Sequence, residues 1–242
     1  MQDSFVTGIV FFLRGLKAVL SPGFRRFIIL PILINLVLLI GCIILLALYF
    51  SRHFSGFMAI YPGWLTLLLG WLFWFVFWIM SIFVATLCFT FLTNILASPF
   101  YGLLAEKIEQ HSSLFPTLST MSFWRSIPHI LYREGQKLWH FIPWLLLCLL
   151  LLILPPTYPI APFVWWVVLA WILAIQYIDY VADNQQVDLK TMLQKLKQKP
   201  FTALGFGASV TLLMTIPGIN LVVPPAAVAG GTFLWLSLKP KN

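Results

Sequence analysis

Long uncharged apolar runs alternate with short polar segments along this chain, and each run predicts a helix of a particular kind. Residues 4–20 place Phe5, Ile9, Phe12, Leu13, Leu16 and Leu20 at three- and four-residue spacings, interrupted by Arg14 and Lys17. That pattern predicts an amphipathic helix lying in a membrane interface. Pro22-Gly23 then turns the chain. Residues 27–50 carry no charge. At ~1.5 Å per residue they cover ~36 Å, enough to cross a ~30 Å hydrocarbon core. Pro31 and Asn35 fall in the first half of this crossing, and a polar group at that depth needs a protein partner or lines a path. Residues 51–63 read as a short polar turn holding Arg52 and His53. Residues 64–97 form a second uncharged run, long enough to tilt or to begin outside the membrane. Trp64, Trp71, Trp74 and Trp78 crowd its first half, where an interfacial belt would sit. Asn94 and Ser98-Pro99 mark its far end, which continues into cytoplasmic helices over 98–140.

Two further runs, 141–178 and 201–238, are each 38 residues without a charge and each is cut near its centre by prolines. In the first the breaks are Pro155, Pro156, Pro159 and Pro162; in the second, Pro217-Gly218 and Pro224-Pro225. Paired, interrupted hydrophobic segments are a pointer to transport proteins. Lysine and arginine flank both ends of each run, so both ends belong on one side of the membrane. The arms are short for a crossing: 141–154 covers only ~21 Å. Hemi-penetrating hairpins satisfy these constraints, with their tips shielded by protein. Between them, 188–199 predicts an amphipathic helix, Leu189, Met192, Leu193 and Leu196 on one side and four lysines around it. The fold class is therefore an all-α integral membrane protein, one membrane domain over 1–242. It has two long transmembrane helices, two hemi-penetrating helical hairpins, and amphipathic cytoplasmic or interfacial helices.

Composition sharpens this reading. Hydrophobic residues make up 61% of the chain and charged residues only 9%, against about 25% charged in soluble proteins. The net charge of +8 comes from basic residues placed between apolar runs, the positive-inside pattern, and not from a polar module for nucleic acid. Both termini, 98–140 and 179–200 are expected on the cytoplasmic side, with 51–63 outside. Cys42, Cys88 and Cys148 lie in apolar runs without metal or disulfide spacing, and no cleavable signal peptide is read. There is no P-loop, no nucleophile elbow, and no zinc spacing among the four histidines, so no cofactor, metal or catalytic residue is expected.

The candidate chemistry lies at the ends of the runs. Arg25 and Arg26 follow Gly23-Phe24 at the mouth of the first crossing. Free N–H groups at a helix start, together with two guanidiniums, suit an anion with several oxygens. The same arginines also fit a positive-inside anchor, which charge pattern alone favours. The acids Glu106, Glu134, Asp179 and Asp183 sit at run ends and read first as partners for arginine and lysine in the cytoplasmic layer. Glu106, Glu134 and Asp179 are also the candidates for any proton coupling, because the runs themselves hold no Asp, Glu, His, Lys or Arg. Asn35, Asn94 and Asn220 are candidate path residues.

Several stretches together carry a resemblance over nearly the whole chain. They are Ser21-Pro-Gly-Phe-Arg-Arg-Phe-Ile-Ile-Leu-Pro-Ile-Leu-Ile-Asn35, Ala97-Ser-Pro-Phe-Tyr-Gly-Leu-Leu-Ala-Glu-Lys107, Arg133-Glu-Gly-Gln-Lys137, Ala174-Ile-Gln-Tyr-Ile-Asp-Tyr180 with Asp183-Asn184, and Ile216-Pro-Gly-Ile-Asn220. The chain resembles the CysZ family of bacterial inner-membrane sulfate permeases. The resemblance implies sulfate uptake that feeds cysteine synthesis, reported as proton-dependent for the family, and the fold of two long helices with two hemi-penetrating pairs. Its sulfate motif, Gly-Leu-Arg followed by a second Arg, maps onto Gly23, Phe24, Arg25 and Arg26, with Phe in place of Leu. With the resemblance, the anion site overtakes the anchor. A homo-oligomer, dimer or larger, is expected, since two crossings and two half-inserted hairpins are little protein to enclose a hydrated ion in a lipid bilayer. Competing readings are a permease for sulfite, thiosulfate or another oxyanion, a non-transporting membrane scaffold, and a membrane enzyme.

Overall fold

The computed structural model describes residues 3–58, 63–111, 123–216 and 218–238. The described residues form eight α-helices and two single-turn 3₁₀ helices. The chain divides into two compact units, residues 29–97 and residues 1–28 with 98–242.

The first of these units comprises nearly all of one long helix and the larger part of a second. Helix α2 (Arg26–Met58) has 33 residues and α3 (Gly63–His111) has 49. At ~1.5 Å per residue both exceed a ~30 Å hydrocarbon core. Helix α2 passes through Pro31 and runs on to Met58, so most of the segment read as a polar turn is helical; residues 59–62 lie outside the described ones. Helix α3 likewise passes through Ser98-Pro99 into the segment expected to be cytoplasmic. Large apolar side chains stand exposed along both, among them Ile43, Leu45, Leu48, Trp71, Leu72 and Phe75. A helix apolar on its outward surface is matched to lipid and not to water.

The other unit holds the core. Helix α7 (Pro200–Met214) and helix α8 (Val223–Ser237) form a hairpin, turned by a 3₁₀ segment at Ile219–Leu221 that begins beside Gly218. Gly218 has φ of 84°, a left-handed conformation that glycine adopts without strain. Both helices are apolar all round, and both are covered: α1 (Phe5–Val19) packs on one side and α5 (Ala161–Asn184) on the other. Helix α1 buries Gly8, Phe11, Phe12, Gly15 and Val19. At Gly8 and Gly205 the α1 and α7 backbones come so close that a Cβ on Gly8 would collide with the Thr202 carbonyl, and one on Gly205 with that of Phe5. Such small-residue seams are how helices approach in membranes, where packing replaces the hydrophobic drive. The outer face of α1 leaves Phe5, Val6, Val10 and Leu13 exposed together with Arg14 and Lys17.

The other hairpin joins α4 (Phe123–Ile153) to α5 through Pro155–Thr157, where the Thr157 hydroxyl donates to the Leu154 carbonyl at 2.8 Å. Its arms are longer than the apolar runs suggest. Leu131–Ile153 and Ala161–Asn184 are each long and apolar enough to cross a membrane, because the helices continue through charged residues. By contrast α7 and α8 have 15 residues each, ~22 Å. Helix α6 (Leu189–Lys197) starts from an Asp188 cap and buries Leu189, Met192, Leu193 and Leu196.

Candidate functional site

The motif at the mouth of α2 is built by a turn. Helix α1 ends at Val19, and the Ser21 hydroxyl donates to the Ala18 carbonyl at 2.6 Å. The Phe24 N–H donates to the Ser21 carbonyl at 3.1 Å, and α2 begins at Arg26. Pro22 and Gly23 are exposed, and nothing stands within 4 Å of where a Cβ on Gly23 would be. The ring of Phe24 is buried in the core, with the Lys107 ammonium 5.9 Å from its centroid. Arg25 is exposed and its Nε donates to the Leu20 carbonyl at 3.0 Å, leaving the Nη groups to point elsewhere. The turn therefore uses the Phe24 N–H, which sequence reasoning assigned to an anion. It leaves Gly23 uncovered. The side chain of Arg26 lies outside the described residues, as do those of Asn35 and Asn94.

A second polar constellation forms between α4 and α5. His129, Arg133 and Lys137 recur every four residues on α4, while Gln176, Asp179 and Asp183 share a face of α5. Arg133 meets Asp179 two-pronged, Nη2 to Oδ1 at 2.7 Å and Nε to Oδ1 at 3.0 Å, and its Nε lies 3.2 Å from Asp183. Lys137 bridges Glu134 at 2.6 Å and Asp179 at 3.2 Å. His129 Nε2 lies 2.9 Å from Asp183, and Gln176 donates to Glu134 at 3.3 Å. Arg133, Lys137 and Asp179 are all buried. Two cations thus face three carboxylates, with His129 at the exposed edge. Each partner offsets the desolvation of the other, which no single buried charge could bear.

The polar layer extends to the end of α3. Asn184 donates to the Gly102 carbonyl at 2.7 Å. Gln185 donates to Glu109 at 2.5 Å and accepts from the Trp235 indole at 2.8 Å. The other oxygen of Glu109 is buried and has no hydrogen-bond partner among the described residues. Burial and the neighbouring Glu109 push the Glu106 carboxyl up from its ordinary value, and burial pushes the Tyr101 hydroxyl up to about 12.

Of the sequence candidates, the structure brings Glu134 and Asp179 together through Lys137. Glu106 is on α3, half-buried and hydrogen-bonded by Gln110. Asn220 is exposed at the α7–α8 turn. Sequence reasoning did not single out Arg133, Lys137, His129, Glu109 or Gln185 as site residues. The signal was present as matched four-residue spacings on α4 and α5, opposite in charge.

Residues 11–225 match the model of the family described as Sulfate transporter CysZ/Etoposide-induced protein 2.4. The chain belongs to that family. It is 38% identical over 239 residues to the sulfate transporter CysZ of Pseudomonas fluorescens strain Pf0-1, covering 98% of this chain and 95% of the relative. The protein of the same name in Vibrio parahaemolyticus is 36% identical over 240 residues, 96% of this chain and 94% of the relative. That of Pectobacterium atrosepticum is 36% identical over 237 residues, 95% and 84%. All three are named as transporters. Family membership and the long apolar helices make this chain a membrane protein.

Proposed function

We propose that this protein is a sulfate permease of the bacterial inner membrane, supplying sulfate for cysteine biosynthesis. The observation that carries the reading is likeness at 36–40% identity, over nearly the full length, to relatives named sulfate transporter. The α1–α2 turn supports it: the Arg25 guanidinium is exposed, and Gly23, two residues before it, is uncovered. Sulfate is a dianion that offers only acceptor oxygens, and Gly23, Arg25 and Arg26 supply matching donors. Phe24 serves the site as a buried anchor for the turn.

On this reading α2 and α3 cross the membrane, and the α7–α8 hairpin enters it partway, its ~22 Å arms being too short to span. The termini face the cytoplasm, and copies of the chain assemble to enclose the ion path. Uptake of radiolabelled sulfate by the purified protein in liposomes tests the reading, with sulfite and thiosulfate as competitors. Flux no higher than in empty liposomes would refute it; uptake of labelled sulfite or thiosulfate without uptake of sulfate would reassign the anion.

A further inference from the structure

A groove of about 870 Å³ runs between α4 and the start of α6. Its walls are Tyr132, Trp139, His140 and Pro143 from α4, and Asp188, Lys190 and Leu193 from α6 and its cap. None of these residues belongs to the α1–α2 turn or to the ion-pair cluster, and no part of the proposed transport uses them. We propose that this groove binds one anionic glycerophospholipid, its phosphate beside Lys190 and its acyl chains along the apolar arm of α4.

Three features select an amphiphile of that charge. The first is the gradient across the groove. Its α6 wall presents Lys190 beside Asp188, Leu189 and Leu193. Its α4 wall runs through Trp139 and His140 to Pro143, next in the chain to exposed Ile142, Trp144, Leu145 and Leu146 at the start of the apolar arm. A headgroup and a chain match the two walls; a free anion would leave the apolar arm empty. The second is the aromatic rim. Trp139 is 78% exposed and Tyr132 67%, large values for such rings unless they lie at headgroup level. The third is charge. Lys190 and Lys197 are both exposed. The one carboxylate, Asp188, is already committed. It accepts the Thr191 N–H at 2.9 Å as the α6 cap and lies in the field of Arg133. The volume also suits a headgroup with the first part of its chains and is far larger than one oxyanion needs.

Native mass spectrometry of the full-length, delipidated protein in detergent tests this, with dioleoyl-phosphatidylglycerol, dioleoyl-phosphatidylcholine or glycerol 3-phosphate added. One phosphatidylglycerol per chain should survive collisional activation that strips phosphatidylcholine. Lys190→Glu and Trp139→Ala should each reduce that retention about ten-fold, and Lys190→Arg should keep it. Leu150→Ala, on the exposed arm beyond the groove, should leave it unchanged. Circular dichroism and elution volume check that each variant folds. Equal retention of both lipids, or retention unaffected by Lys190→Glu and Trp139→Ala, overturns the proposal. So does displacement by glycerol 3-phosphate alone, which would mark a free-phosphate site. A change in the number of chains per particle with lipid retention intact would give the groove to a second copy and overturn it equally.

Discussion

Arg133 on α4 and Asp179 on α5 face each other with three hydrogen bonds from guanidinium to carboxylate, and both are less than a tenth exposed. Lys137 one turn further on reaches the second oxygen of the same carboxylate. Removing one partner leaves the others buried and uncompensated. Arg133→Ala or Asp179→Asn should therefore destabilise by roughly 3–5 kcal/mol, the usual cost of breaking a buried pair. The exchange Arg133→Asp with Asp179→Arg should recover part of that. Thermal unfolding in detergent measures it; loss within ~0.5 kcal/mol for both single variants would show that water already reaches the pair.

Helix α7 meets α5 at Gly207, where a Cβ would collide with the Ala170 carbonyl. Backbone cannot yield as a side-chain tip can, so Gly207→Ala must push two helices apart. The expected loss is about 1–3 kcal/mol, as for overpacking of a tight core. Gly23→Ala is the control, since nothing stands within 4 Å of its Cβ position. Equal melting temperatures for Gly207→Ala and wild type would mean the seam is looser than the backbone places it.

Much of the helical content is legible in the sequence, because uncharged runs bounded by charges and cut by proline admit few other structures. The limits of the helices are less so. Ending the first hairpin arm at Phe141 treats Lys137 and Arg133 as a solvated flank, whereas α4 starts at Phe123 and turns both inwards onto α5. A buried charge and an exposed one look alike in a hydropathy pattern; only the opposed four-residue spacings on two helices separate them. The inner face of α1 is hidden for a different reason. Spacing selects Phe5, Leu13 and Leu20, which are exposed, while Gly8 and Gly15 are buried and carry no hydropathic signal. The α1–α2 turn lay within reach only in outline. Pro22-Gly23 announces a break, but nothing local shows that the Phe24 N–H closes it onto Ser21.

Because the charges on α4 are paired, the first hairpin can reach deeper than its uncharged run. Its tip, Pro155–Thr157, follows a 23-residue stretch long enough to cross. The α7–α8 tip follows only 15 helical residues. Single cysteines at Tyr158 and at Asn220, in a background without native cysteines, separate the two depths. An impermeant maleimide added outside intact cells should label Tyr158→Cys faster than Asn220→Cys. Equal protection of both would keep both hairpins within one leaflet; equal labelling would make both cross.

Glu106 offers a pH test. Burial and the nearby Glu109 raise its carboxyl, so its protonated form is the one the fold favours. A raised carboxyl adds stability below its unfolded value, about 4.3, and loses it as pH rises through the folded value. At neutral pH the ionised group is therefore a small liability. Glu106→Gln should raise the melting temperature at pH 7–8 by a few degrees or less and leave it unchanged at pH 4. A higher melting temperature at pH 4 as well would assign the effect to the Gln110 contact and not to charge.

The anion site makes the sharpest demand. The Nε of Arg25 is held by the Leu20 carbonyl at 3.0 Å, which fixes the plane of the guanidinium. A lysine keeps the charge but cannot both hold that carbonyl and present a planar fork to sulfate. A charge-assisted hydrogen bond contributes ~1.5–3 kcal/mol, so Arg25→Lys should weaken sulfate binding roughly ten- to a hundred-fold. Arg26→Lys tests the neighbouring guanidinium in the same way. If the arginines only anchor α2 at the surface, lysine serves as well, and alanine alters insertion or expression instead of affinity. Isothermal titration of sulfate into the purified variants decides between the two. Wild-type affinity in both lysine variants, with normal expression, would falsify the site at the α1–α2 turn.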